Sequence, residues 1–210
     1  MGAVPTEGGS RSRPVAVAIT GGIGAGKTEA LNAFARHGAA TISSDDIVHR
    51  LLREDDDVRR ELIDRFGADI LDEAGNVDRP AIGRIVFDDP EALTWLEGLL
   101  HPLVAAEYLD WRERLAALPE PPAVSATEVP LLYEVGGERR FDVVVVVTAP
   151  PELRRERSEV ADAGDREPRL IPDEEKAARA DFSYLNDGTR QQLDDFVAET
   201  IRALEARPPA

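Results

Sequence analysis

Val15-Ala16-Val17-Ala18-Ile19-Thr20 runs directly into Gly21-Gly22-Ile23-Gly24-Ala25-Gly26-Lys27-Thr28, and this stretch decides the fold. Val15 to Thr20 is short, apolar and β-branched, the pattern of a strand buried on both faces. Gly21 to Thr28 satisfies G-x-x-x-x-G-K-[ST] in full. From Lys27 to His37 the periodicity becomes helical, with Leu31, Phe34 and Ala35 on one side. Strand, glycine turn and helix together are the context in which this motif binds a nucleotide phosphate. Glycines let the backbone wrap closely round an anion, so that several N–H groups point inward. The helix N-terminus adds its partial positive charge. Gly22, Ile23, Gly24, Ala25, Gly26, Lys27 and Thr28 are therefore the predicted phosphate cradle. Lys27 is expected to reach the β- and γ-phosphates of ATP, and Thr28 to offer its hydroxyl to Mg²⁺. The plain alternative is a turn that only joins strand to helix.

Outward from this loop, short apolar strands alternate with helices. Ala40 to Ser43 reads as a strand, and Ser44 or Asp45 as the N-cap of a helix carrying Ile47, Val48, Leu51 and Leu52. Val58, Leu62, Ile63 and Phe66 make an amphipathic segment ended by Gly67, and Ile82, Ile85, Val86 and Phe87 another. Pro90 opens a long helix that restarts near Pro102 and runs towards Leu118. Ala123 to Val129 and Phe141 to Thr148 are two more buried strands. A charge-rich stretch from Pro151 to Pro172 follows, read as a short helix and a mobile segment. A helix over Asp173 to Ala180, a strand over Phe182 to Leu185 and a helix over Thr189 to Ala206 complete the chain. The alternation predicts an α/β fold, a five-stranded parallel sheet flanked by helices. Residues 14–54 and 119–207 form the predicted nucleotide-binding core, 55–118 a helical insertion, 151–172 a lid within the core and 1–13 a flexible tail.

Composition narrows the function. The 210 residues include 41 acidic against 25 basic, a formal charge of −16, which argues against a nucleic-acid partner because phosphate backbones need a basic face. A small anionic ligand is compatible with that charge, since a helix N-terminus or a few arginines override the global sign locally. Cysteine is absent, which removes disulfides, thiolate metal sites and cysteine nucleophiles. The longest apolar run, Val143 to Val147, is too short to span a bilayer, so the expectation is a soluble cytoplasmic protein without a membrane partner. Neither Lys27 nor Lys176 stands in an N-K-x-D motif, which disfavours a GTPase. A small-molecule kinase needs a phosphate loop, an acceptor pocket and a closing lid, and the insertion and the arginine-rich segment can supply the last two.

Two carboxylates stand out: Asp45 lies just past the second predicted strand, at the edge where ligands of open α/β sheets collect, and Glu128 ends the third. Asp45 can take a proton from an acceptor hydroxyl or orient Mg²⁺, or it is only a helix cap. Glu128, at the end of the third strand, is a metal-orienting acid or an ordinary surface acid.

At Thr20 to Thr28, Ser43-Ser44-Asp45-Asp46-Ile47, Phe66-Gly67, Val77-Asp78-Arg79, Val86-Phe87 and Leu99-Leu100-His101-Pro102-Leu103-Val104, the chain resembles the dephospho-CoA kinase family. The likeness continues through Glu128-Val129-Pro130-Leu131-Leu132-Tyr133-Glu134, Glu174-Glu175-Lys176, Arg179-Ala180-Asp181-Phe182 and Asn186-Asp187-Gly188. The resemblance implies transfer of the ATP γ-phosphate to the ribose 3′-hydroxyl of dephospho-CoA, the last step of coenzyme A synthesis. It makes Asp45 the base, gives Arg79, His101 and Tyr133 to the substrate side, and puts Asn186 and Gly188 near the adenine of ATP. It departs from the family at Ser43, which replaces an Asp, and at Glu128, also in place of an Asp. In the lid, Arg154 stands in the place of a Gln, Arg157 matches the first arginine, Arg166 or Arg169 is left to restore a phosphate contact, and Leu170 or Ile171 takes the place of a second Gln. The rival readings are another small-molecule or nucleotide kinase and an ATP-binding protein with impaired catalysis.

Overall fold

The computed structural model describes residues 13–157 and 170–206. Its strands are β1 (Val15–Thr20), β2 (Ala40–Ser43), β3 (Val124–Glu128), β4 (Val143–Thr148) and β5 (Phe182–Leu185). Between and after them lie α1 (Lys27–Arg36), α2 (Ser44–Glu54), α3 (Asp56–Phe66), α4 (Arg79–Asp88), α5 (Pro90–Ala116), α6 (Pro151–Arg157), α7 (Asp173–Arg179) and α8 (Arg190–Glu205). The sheet is parallel with order β2-β3-β1-β4-β5.

Alternation explains why both faces of this sheet are covered. Val17, Ile19, Val143, Val145 and Val147 pack with Ala30, Ala33 and Phe34 of α1 and with Leu193, Val197, Ile201 and Leu204 of α8. The intervening residues, Ala18, Val144 and Val146, pack instead with Leu132 and Tyr133. A strand with apolar side chains on both faces reads as an unbroken apolar run, as Val143 to Val147 does. β5, at the sheet edge, buries Phe182 and Tyr184 more than Ser183 and Leu185, and Tyr184 stacks on Phe196 at 4.9 Å. Thr189 closes a capping box with Gln192 at the start of α8. The register Ile19↔Glu128 aligns the end of β3 with the end of β1, so Glu128 arrives beside the glycine turn.

The chain divides into two units: the described residues up to Ile42 with those from Trp111 onward, and Ser43–Asp110. This division differs from the sequence boundaries at 54/55 and 118/119. Val48 and Leu52 of α2 share a cluster with Val58, Leu62, Ile70, Ile82 and Leu100, so α2 belongs with the helical unit. At the other end, Arg112 donates to the Arg140 carbonyl at 2.8 Å and lies 4.9 Å from the Phe141 ring centre, which ties the end of α5 to the sheet unit. Within the helical unit, Phe66 meets Trp95 edge-on at 5.4 Å, and Asp55 caps α3 by accepting from Asp57 N and Val58 N.

Three further expectations are corrected. The N-cap of α2 is Ser43, neither Ser44 nor Asp45, because β2 runs into the helix with no connecting loop and its last residue takes the half-in position. α5 is unbroken through Pro102, where Leu99, Leu100 and Leu103 join the apolar cluster and hold the helix across the missing hydrogen bond. Arg13 is anchored rather than part of a tail: it forks onto Asp142 at 2.6 and 2.8 Å, and Asp142 also accepts from Ala16 N. Residues 1–12 of the expected tail and Arg166 and Arg169 of the expected lid lie outside the described residues.

Candidate active site

β1 ends in a loop whose shape follows from its glycines. Gly26 caps α1 with φ +98°, and a Cβ there would lie 2.3 Å from Asn186 Nδ2. Any other residue would therefore meet both backbone strain and a steric block. Asn186, buried at the end of β5, donates its side-chain amide to the Ala25 carbonyl at 2.9 Å and its backbone N–H to the Thr148 carbonyl at 2.7 Å. It thereby stitches the loop to the ends of β4 and β5. Arg157 of α6 donates to the Asn186 carbonyl at 3.0 Å.

A cavity of about 230 Å³ opens at this place, lined by Gly24, Gly26, Lys27, Thr28, Glu128 and Arg157. Lys27 Nζ donates to the Gly22 carbonyl at 2.9 Å. The Thr28 hydroxyl donates to the Glu128 carboxylate and lies 3.2 Å from each of its oxygens. Glu128 is only 4% exposed, so the lengthened acid is a fixed element of the cavity wall. A hydroxyl and a carboxylate at that spacing are hard oxygen donors suited to Mg²⁺. Among the described residues no three His, Cys, Asp or Glu side chains form a cage.

Of the sequence-predicted residues of the sheet unit, Gly24, Gly26, Lys27, Thr28, Glu128 and Arg157 line the cavity, and Asn186 braces the loop that forms it. Tyr133 is absent from the cavity lining. It is 6% exposed, packs with Leu132 and Val144, and carries the Arg179 guanidinium 4.2 Å from its ring centre. Burial pushes its phenol pKa up, against the opposing pull of Arg179. Gly188 lies against the α8 capping box, where a Cβ would come within 2.1 Å of Gln192 Oε1. In the helical unit, Asp45 is exposed in the first turn of α2, Arg79 is exposed at the start of α4, and His101 is half-buried in α5.

Two ion pairs escape sequence reading. Arg154 Nη1 lies 3.4 Å from Asp173 Oδ2. Lys176, 1% exposed, places Nζ 2.7 Å from Glu134 Oε1, which also accepts from Ile171 N at 3.1 Å. The one available signal is that Lys176 is, with Lys27, one of only two lysines in a chain that otherwise uses arginine.

Comparison with known proteins adds an independent line. A family model described as dephospho-CoA kinase matches residues 15–192. A dephospho-CoA kinase of Brucella melitensis biotype 1 is 36% identical over 203 residues, covering 93% of this chain and 98% of the relative. Among solved structures, TT1252 from Thermus thermophilus superposes with a TM-score of 0.73 at 30% identity, covering 93% of this chain and 100% of that one. A dephospho-CoA kinase from Campylobacter jejuni gives a TM-score of 0.62 at 26% identity, covering 90% and 96%.

Proposed function

The chain belongs to the dephospho-CoA kinase family, and from that premise we propose that it transfers the γ-phosphoryl group of ATP to the ribose 3′-hydroxyl of dephospho-CoA. The observation that carries this reading is the Thr28 hydroxyl held against the buried Glu128 carboxylate, in a cavity that Lys27 and Arg157 also line.

In the proposed reaction the acceptor oxygen forms a bond to Pγ while the bond from Pγ to the β,γ-bridging oxygen breaks, and ADP leaves. The hydroxyl proton goes to the Asp45 carboxylate. Lys27 leaves the Gly22 carbonyl for the β- and γ-phosphate oxygens, and the loop N–H groups hold the rest of the polyphosphate. Arg157 neutralises charge that develops on the transferred group. Thr28 and Glu128 would hold Mg²⁺, whose charge offsets that of the phosphates. Arg79 and His101 take the acceptor side, and Asn186, whose amide bonds the Ala25 carbonyl, acts on the nucleotide by fixing the loop. Tyr133 serves by packing, and Tyr133→Phe is expected to leave the KM for dephospho-CoA unchanged. Catalysis of this kind is positioning and electrostatics. The same reading carries a cytoplasmic location and small-molecule partners; no described helix is long and apolar enough to cross a membrane.

The test is ADP release from Mg²⁺-ATP with and without dephospho-CoA. Acceptor-dependent release is the expected result. ATP binding without release on this acceptor, and release on another alcohol instead, would overturn the assignment.

A further inference from the structure

The Arg154–Asp173 ion pair has no part in the reaction as described, yet it rests directly on the phosphate loop. A Cβ on Gly22 would lie 2.5 Å from Arg154 Nη1 and 2.7 Å from Asp173 Oδ2. The Arg154 backbone carbonyl presses on the same loop, 2.5 Å from where a Cβ of Gly24 would be. Gly22 therefore offers its carbonyl to Lys27 and its bare Cα to the pair. A side chain at this position would drive both charges off the loop.

An aspartate in contact with a polyphosphate-binding loop has the wrong sign for its place. Its carboxylate repels every phosphate charge that enters, and with side-chain exposures of 18% for Arg154 and 21% for Asp173, water screens little of that repulsion. The guanidinium 3.4 Å away cancels it. We propose that Arg154 is a positioning residue for nucleotide binding that acts through Asp173: it neutralises this carboxylate at Gly22, so that ATP affinity follows the net charge of the pair rather than the presence of either residue. This rests on the reading of the loop as the ATP site. It makes a prediction that a purely structural buttress does not, because the two single substitutions move affinity in opposite directions.

The experiment measures the Kd for Mg²⁺-ATP by calorimetry on the full chain, for the wild type, Arg154→Gln, Asp173→Asn and the double variant, with melting temperatures recorded alongside. At about 0.05 M salt Arg154→Gln is expected to weaken ATP about tenfold, Asp173→Asn to tighten it about threefold, and the double variant to return to within about twofold of the wild type. Raising salt to about 0.5 M should shrink these differences only in part, since partly buried charges are screened less than exposed ones. Arg154→Lys, which keeps the charge, should stay near the wild type. Weaker binding in Asp173→Asn, or a double variant no better than Arg154→Gln, would overturn the proposal and leave a structural brace. Asp173→Asn carries the same test by its sign even if Arg154→Gln does not fold. Failure of the wild type itself to bind ATP would overturn the reading of the loop and this proposal with it, which separates the two.

Discussion

The two units keep the residues singled out in the sequence in different ways. In the sheet unit two polar groups of the site are enclosed, Glu128 at 4% exposed and Asn186 at 8%, each with a hydrogen bond, while Lys27 is half-buried and Thr28 and Arg157 are exposed beside them. In the helical unit Asp45 and Arg79 are exposed on the first turns of helices, and the charge pairs, such as Arg59–Asp56 and Arg60–Asp57, lie at the surface. A buried polar group must be satisfied where it sits, so it is held in one geometry before any ligand arrives. An exposed one is free to be oriented by what binds. Glu128 and Asn186 are thus set in advance, whereas Asp45 and Arg79 are free to turn.

This contrast can be broken by experiment. Lys27→Ala is expected to lower turnover by at least about 10³-fold with the melting temperature retained, measured by ADP release and thermal denaturation; a variant that turns over normally would end the distinction. Lys176→Met removes the ion-pair partner of the half-buried Glu134, and should destabilise the chain by about 3 kcal/mol in urea unfolding. Replacing Glu134 by Gln in the same chain should recover much of that loss. Asp45→Asn should reduce kcat by at least about 10²-fold if it takes the proton, with little change in stability because Ser43, not Asp45, occupies the cap position. The smallest effect concerns Asp142. The hydrogen bond and charge of Arg13 hold its pKa below the usual carboxylate range, helped by Ala16 N. A depressed native pKa stabilises the fold above the unfolded value near 3.9, and that contribution fades as pH falls through the native value. Asp142→Asn should therefore cost under about 1 kcal/mol at pH 7, since the pair is partly exposed and screened, and the gap from the wild type should close as unfolding is measured below about pH 4.

Much of the sheet unit was legible in the chain because its signals are local. The strand at Val15–Thr20, the glycine turn and the helix from Lys27 are readable from neighbours alone, and so was the parallel sheet, from apolar runs such as Val143–Val147. Glu128 was legible as a carboxylate at a strand end, but its contact with Thr28 rests on the Ile19↔Glu128 register. Where local rules misled, packing had overridden them. Pro102 should break a helix, and the cluster around Leu100 keeps it whole.

Residue order alone carries the periodicities, the turn chemistry and the phosphate motif, because each depends on side chains a few positions apart. Only the folded chain decides which remote polar groups meet. Asn186 reaches Ala25, Glu134 receives Lys176, and Asp173 with Arg154 comes to rest on Gly22. Those meetings depend on how helices α6 and α7 and strand β5 are laid against the loop, and nothing in the spacing along the chain encodes that approach.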